Sequence, residues 1–268
     1  MKTSLFFELL KFVILHPQIG INIIQSALQI HNDSKSDIEV FDIKPLEPSN
    51  AIAILFPTLT DSITELNKNI LPLQKHLNDF FTKLETEEHP SKKKPYPIDY
   101  SLNDSLSLFL YLLCNVTKPN VIVETGVAYG RSSSYILQAL HENNKGKLYS
   151  IDSVFRPWES KQMIGSVIPN NIKNHWEFIF GTSSHELKKL FNKLGTIDIF
   201  FHDSLHTFKN MIFEFETAWP FIKKDGFLIS DDIAGNNAFY KFSKSHNIQP
   251  IIISSKNSQS LMGVIQKL

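Results

Sequence analysis

The sequence predicts an α/β fold: a mostly parallel seven-stranded sheet with an antiparallel edge hairpin, helices on both faces, and an N-terminal helical extension. Three observations carry this. From Asn103 onward, short β-branched runs alternate with helical segments, the pattern of parallel strands joined by crossover helices. The last two apolar runs, "PIIIS" and "LMGVIQ", have no helix between them and read as a hairpin. Before residue 86 or so, the spacing is helical only.

The elements follow in order. "LTDSITELNKNILPLQKHLNDFFTKLETEE" sets Leu66, Ile70, Leu73, Leu77, Phe80, Phe81 and Leu84 at helical spacing, and Pro72 should kink or split it. "EEHPSKKKPYPIDYS", with its prolines and lysine run, reads as a linker. The expected division is an extension and linker over 1–102 and a second domain over 103–268. "LNDSLSLFLYLLCNV" is a capped helix, and "NVIVETG" a buried strand ending in Gly. "RSSSYILQALHENN" (helix), "KLYSID" and "WEFIFG" (strands) come next. "HELKKLFNKLG" is a helix closed by Gly195. The strand "IDIFFHD", the helix "HTFKNMIFEFETAWPFI", the strand "FLISDD" and the helix "AFYKFSKSH" complete the alternation.

A formal net charge of +0 over 268 residues gives no long-range field for nucleic acid or an anionic membrane. Lone Cys114 excludes an internal disulfide and fits a reducing compartment, so a cytoplasmic location is expected. "MKTSLFFELLKFVILHPQIG" is apolar, but Glu8, Lys11 and His16 interrupt it within less than a membrane span. It has neither the clean apolar stretch nor the cleavage site of a signal peptide. The expectation is an amphipathic helix packed on the domain or on a partner, with a homo-oligomer through these helices as one outcome.

Parallel sheets bind ligands at the carboxyl ends of their strands, so the chemistry is expected at those ends. Glu124 closes the first strand, Gly126 and Gly130 flank the turn after it, and Ser132 and Ser133 open the next helix. Glycines allow close backbone approach, and a helix start offers free N–H groups. Ala128 and Arg131 stand where a dinucleotide G-x-G-x-x-G would have its later glycines, which disfavours a nicotinamide cofactor. Asp152 ends the second strand and can accept from ribose hydroxyls. Gly181, Thr182 and Ser183 end the third, on the adenine side.

Asp203 ends the fourth strand, and Asp231 and Asp232 end the fifth. Three converging carboxylates repel unless a cation or protons neutralise them. All-oxygen ligands suit Mg²⁺ or another divalent cation such as Mn²⁺ or Ca²⁺. The alternative is that Asp231 and Asp232 cap the following helix. His206, three residues after Asp203, shares its face at a helix start. His202 should point to the other face of its strand, and Ser204 has no evident partner. Phe213 to Phe215 and Trp219 read as core. The long insertion "DSVFRPWESKQMIGSVIPNNIKNHW" is a candidate lid, and Asn236 and Asn237 are candidates for substrate contact.

From "VIVETGVAYGRSSSYILQAL" through "GFLISDDI" the chain resembles a class I S-adenosylmethionine-dependent methyltransferase, with a Rossmann-like sheet. The resemblance covers roughly residues 103–268. It implies that Glu124, Gly126 and Gly130 line the methionine part of S-adenosylmethionine, with Thr125, Tyr129, Ser132 and Ser133 beside them and Asp152 on the ribose. "IDIFFHD" followed by "GFLISDDI" is similar to the metal-dependent O-methyltransferases of the catechol type and of the type acting on macrolide sugars. That likeness implies Asp203, Asp231 and Asp232 as Mg²⁺ ligands. The Asp-x-x-His spacing matches the sugar type, in which His206 would be the base and the acceptor a hydroxyl of a sugar or glycosylated small molecule. Two rivals stand beside this reading: a metallohydrolase using His202, Asp203 and His206, and a catalytically silent cofactor-fold protein serving in binding or assembly.

Overall fold

The computed structural model describes residues 3–39, 41–57, 60–255 and 260–268. The start of the apolar N-terminal stretch and the Leu59 that opens the second helical stretch fall outside them. Strands β1 (Val121–Thr125), β2 (Lys147–Asp152), β3 (Trp176–Phe180), β4 (Ile197–His202), β5 (Ile222–Ser230), β6 (Ile251–Ser254) and β7 (Leu261–Gln266) form one sheet in the order β3-β2-β1-β4-β5-β7-β6. β1 to β5 are mutually parallel, and β7 runs antiparallel to both β5 and β6. The seven-stranded α/β sheet with its antiparallel edge pair is therefore present as the sequence predicts. β4 is buried at all six positions, because helices cover both faces of a parallel sheet.

One face is covered by α6 (Asp104–Thr117) and α7 (Arg131–Glu142). Asn103 starts α6, its side chain accepting from Leu106 N at 3.0 Å. Ile122, Leu148, Ile199, Phe201 and Ile229 meet these helices in one apolar core. The extension adds a further layer outside them. It contains α3 (Pro48–Leu55), α4 (Thr60–Asn69) and α5 (Leu71–Glu85), and Ala51, Ile52, Leu73, Leu77 and Phe81 join the same core. Pro72 does split the predicted helix: it lies in the first turn of α5, where a missing N–H costs nothing.

The other face is covered by α8 (Ser183–Leu194), α9 (Phe208–Ala218) and α10 (Ala238–Ser245), packed on Val123, Ile151, Phe200 and Leu228. Phe215 is fully buried here, but Phe213 is 37% exposed, since it points off the apolar stripe of α9.

Two contacts tie the extension to the end of the chain. Leu46 pairs with the exposed edge of β6: its N donates to Ile252 O at 2.9 Å, and its O accepts from Ser254 N at 3.0 Å. An edge strand so covered cannot pair with another molecule. Asn237 holds the segment before Leu46, donating to Asp37 O and accepting from Glu39 N, both at 2.7 Å. Finally, α1 (Thr3–Leu15) folds back on α2 (Pro17–Asp33), with Val13 seated on Gly20, where any Cβ would come within 2.4 Å.

Candidate active site at the carboxyl ends of the strands

Register decides which residues meet. Thr125 pairs with Ile151 and with His202, and His202 pairs with Ser230. The residues one step further, Gly126, Asp152, Asp203 and Asp231, therefore share a rim. The ladder runs on into them. Gly126 N donates to Ile151 O (3.0 Å), Asp203 N to Thr125 O (2.8 Å), Asp231 N to His202 O (3.0 Å) and Gly181 N to Asp152 O (3.0 Å).

The rim is strongly acidic. Burial, then the carboxylates of Asp231, Glu124, Asp152 and Asp232, hold Asp203 well above the usual carboxylate range. Burial pushes Asp231 up to about 6 against the help of its hydrogen bonds, one of them from Ser260 Oγ at 3.2 Å. Among the described residues, neither Asp203 nor Asp231 forms an ion pair with Lys or Arg. The basic group beside them is His206, its Nε2 3.9 Å from Asp203 Oδ1. Asp203, His206 and Asp231 each offer a ligand atom within 4.8 Å of the others. His206 Nε2 is enclosed and makes no hydrogen bond, although the side chain as a whole is 25% exposed. Burial and His202 hold the His206 imidazole down to about 3, so it is neutral near pH 7. Two carboxylates with no cation beside them, next to an orphaned neutral imidazole, fit a divalent cation chemically.

This set differs from the predicted one. Asp232 is not part of the cluster, and His206 takes its place. The backbone turns left-handed at Asp232 (φ 47°), and its Oδ2 lies toward Gly235.

The predicted cofactor residues divide by strand alternation. Glu124 pairs in register with Ser150 and so shares its face, toward α7. There its fully buried carboxylate accepts from Ser132 Oγ (3.0 Å), Ser133 Oγ (2.7 Å) and Ser150 Oγ (2.7 Å). Burial pushes it up to about 7 despite those bonds. These three side chains thus strap β1, β2 and α7 together beneath the glycine turn. Asp152 does the same from β2: Oδ2 accepts from Val127 N and Ala128 N, both at 2.9 Å, and Oδ1 from Ser153 N at 2.6 Å. The carboxylate holds the turn, with lone pairs of Oδ1 left over for a ribose. Gly181 and Thr182 end β3 and open α8, Thr182 Oγ1 lying 2.8 Å from His185 Nδ1. Ser183 is the first residue of α8 and half-buried.

Both glycines of the turn are needed for packing. At Gly126 (φ 83°) a Cβ would fall 1.9 Å from Asp203 O; at Gly130 (φ 95°) it would meet Ile168 and Gly165 within 3.0 Å. Gly126→Ala is expected to cost about 1–2 kcal/mol through the left-handed backbone alone, and to displace Asp203 as well. A thermal melt together with S-adenosylmethionine titration checks this, and a melt equal to wild type would contradict it.

Tyr129 turns away from the rim. Its ring is fully buried among Phe80, Phe81 and Tyr96, and its OH donates to Tyr96 O at 2.9 Å. A large residue in the turn is accommodated because the extension supplies an aromatic socket for it. The insertion after β2 is folded over the same turn. Gly165 N donates to Ala128 O (3.0 Å), Val167 N to Tyr129 O (3.1 Å), and Val167 O lies 2.9 Å from His76 Nε2 of α5. Of the two asparagines after β5, Asn236 donates to His206 O at 3.3 Å and opens α10 by accepting from Ala238 N at 2.8 Å. Asn237 serves the extension.

One residue was missed. Glu214 of α9 is fully buried and joins four elements of the site. It accepts from Thr125 Oγ1 (2.5 Å), Ser204 Oγ (2.8 Å) and Asn210 Nδ2 (3.2 Å), and its Oε2 lies 2.6 Å from His202 Nδ1. Burial opposes its ionisation, but His202 and the hydrogen bonds outweigh that and bring it down to about 2. Thr125 and His202 are register partners, so both point to the α9 face. His202 is thus turned from the acidic rim as predicted, whereas Ser204 is not without a partner. The available signal was an acid on the apolar stripe of Met211, Phe215 and Ala218. The same geometry removes the metallohydrolase: His202 ends a strand, α9 begins only at Phe208, and the clustered set excludes His202.

Residues 123–233 match the family model described as "Methyltransferase domain". Among solved structures, an O-methyltransferase from Bacillus cereus in complex with SAH is 15% identical, with a TM-score of 0.54, covering 82% of this chain and 96% of that one. An SAH-bound methyltransferase of Podospora anserina is 14% identical, with a TM-score of 0.53 and coverage of 85% and 100%. An O-methyltransferase from Streptomyces achromogenes involved in tomaymycin synthesis, in complex with SAM, is 15% identical, with a TM-score of 0.53 and coverage of 72% and 96%. No curated protein sequence matches. The matched domain spans the glycine turn, Asp152, Asp203, His206 and Asp231, and the solved structures share the fold around them. Residues 123–233 are thus similar to a methyltransferase domain, and the chain shares the fold of solved methyltransferases.

Proposed function

We propose that the chain is an O-methyltransferase that methylates a hydroxyl of a sugar or glycosylated small molecule, with a divalent cation, Mg²⁺ first, held beside the acceptor. The carrying observation is the meeting of Asp203, His206 and Asp231 within 4.8 Å on the rim next to the glycine turn. Asp203 and Asp231 would hold the cation. When bound, it lowers the pKa of the acceptor hydroxyl. His206 Nε2 would take the hydroxyl proton, which requires the neighbouring carboxylates of the rim to offset the burial that holds the imidazole at about 3. S-adenosylmethionine, held at the glycine turn and Asp152, would supply the methyl group to the acceptor oxygen, and the residues of the rim would contribute mainly position and field.

The acidic rim supports the cofactor part of this reading. S-adenosylmethionine carries a positive sulfonium, and Asp231, Glu124, Asp152 and Asp232 are all close enough to act on Asp203. A cation entering their field is stabilised, and its neutral product is not, which favours release. The free N–H groups of the first turn of α7 suit the carboxylate end of the cofactor.

The test is product formation over a panel of sugar-containing and phenolic acceptors, with and without EDTA. Transfer to a sugar hydroxyl, lost with EDTA and restored by Mg²⁺, is the expected result. Activity undiminished by EDTA would remove the cation. No transfer to any acceptor, with the cofactor bound, would favour a binding or assembly role.

A further inference from the structure

We infer that α1 and α2 form the interface of a homodimer, in which the two helical hairpins of two copies pack as a four-helix cluster. The inference is independent of the reaction proposed above. Large apolar side chains that face solvent concentrate on these two helices. Phe6 (51% exposed), Leu10 (46%) and Ile14 (69%) recur every four residues along α1, and Ile21 (47%), Ile24 (60%) and Leu28 (57%) recur at three and four along α2. Each set is a single stripe of a helix. Elsewhere the exposed large apolar residues are scattered, which is ordinary for a protein surface.

The hairpin closes only one side of itself. α1 meets α2 at Val13 and Gly20, and α2 is fixed to the domain by polar bonds at its far end. There Thr207 Oγ1 donates to Gln29 Oε1 at 2.7 Å, and Phe208 N donates to Asp33 Oδ2 at 2.8 Å. The stripes are left without a cover. Their area suffices for one: the nine half-exposed apolar side chains of the hairpin offer roughly 1,000 Å², against the ~800 Å² each partner gives to a standard interface. Such a patch exceeds the largest found on most monomers.

Charge selects the occupant. α1 carries only Glu8 and Lys11, and α2 carries no charged residue before Asp33, which is already bonded to α9. A helix lying on a lipid surface is rich in Lys or Arg and often carries Trp; this hairpin has one Lys in its described residues and neither of the others. No single helix among the described residues is long and apolar enough to cross a membrane, and α1 and α2 reach that length and apolarity only as a pair bent by 118°. An uncharged patch offers no electrostatic match to a charged partner protein. It is complementary to itself, and a two-fold axis brings identical patches together. Four helices around a shared apolar centre are then the stable arrangement.

The test is the mass of the full chain in detergent-free buffer by sedimentation velocity. Wild type should run at twice 30.7 kDa. Leu10→Glu with Ile24→Glu should run at 30.7 kDa with an unchanged circular dichroism spectrum. Should that pair fail to fold, Ile14→Lys with Leu28→Lys reads the same stripes and should also give the monomer. Wild type that is monomeric at ~100 µM overturns the inference. So does a dimer that survives a folded double variant, or a wild-type monomer that floats with phosphatidylcholine vesicles.

Discussion

Turnover falls by roughly 10²- to 10⁴-fold in His206→Ala, the range for losing a general base, while affinity for S-adenosylmethionine is retained. The imidazole Nε2 makes no hydrogen bond, and its contact with the rest of the rim is the 3.9 Å approach to Asp203. The measurement is kcat with cofactor affinity by calorimetry, alongside Mg²⁺ affinity. A base leaves Mg²⁺ affinity unchanged and is partly rescued by added imidazole. If His206 instead completes the cation site with Asp203 and Asp231, Mg²⁺ affinity falls with kcat and imidazole does not rescue. Activity equal to wild type would remove His206 from the chemistry.

The second large effect is expected at Glu214. Removing one partner of a buried pair leaves the other uncompensated and costs about 3–5 kcal/mol. Here Glu214→Ala strands His202 Nδ1 and the hydroxyls of Thr125 and Ser204 at once. For a chain of this size the melting temperature should drop by about 10 °C. The pH dependence has a definite sign. Folding holds Glu214 at about 2, below the 4.5 of an ordinary Glu. Its contribution is therefore fully present above 4.5 and is lost as pH falls from 4.5 toward 2. Denaturant midpoints measured across that window should fall steeply in wild type and more gently in Glu214→Gln. Parallel curves for the two would remove Glu214 as the source of the acid sensitivity.

Much of this architecture was legible because each element carries its own periodic pattern. The strands are apolar runs, several rich in β-branched residues, and the alternation of β1 to β5 with helices fixes the parallel part of the sheet. Asp203 and Asp231 were legible because acids at strand ends are conspicuous. Asp232 lies outside the cluster of Asp203, His206 and Asp231, and nothing in the sequence announces the left-handed turn of its backbone. Glu214 was hidden for a second reason: each of the two acids in "MIFEFETAW" looks like a solvated position unless helix phase is combined with the β1–β4 register. Tyr129 departs for a third reason. Its direction is set by Phe80, Phe81 and Tyr96, which lie far along the chain and which no local pattern connects to it.

The cover on the β6 edge has a consequence in time. Leu46 pairs with Ile252 and Ser254, and Asp37 and Glu39 with Asn237. Closing a loop of some two hundred residues is entropically costly and slow compared with local helix formation. During synthesis the early helices emerge long before the strand they must seal. The 37–46 segment then waits, and the last strands stand open until it arrives. Capture of that segment is a late event in maturation, and a nascent chain halted before Asn237 would hold a sheet whose final edge has not yet been built.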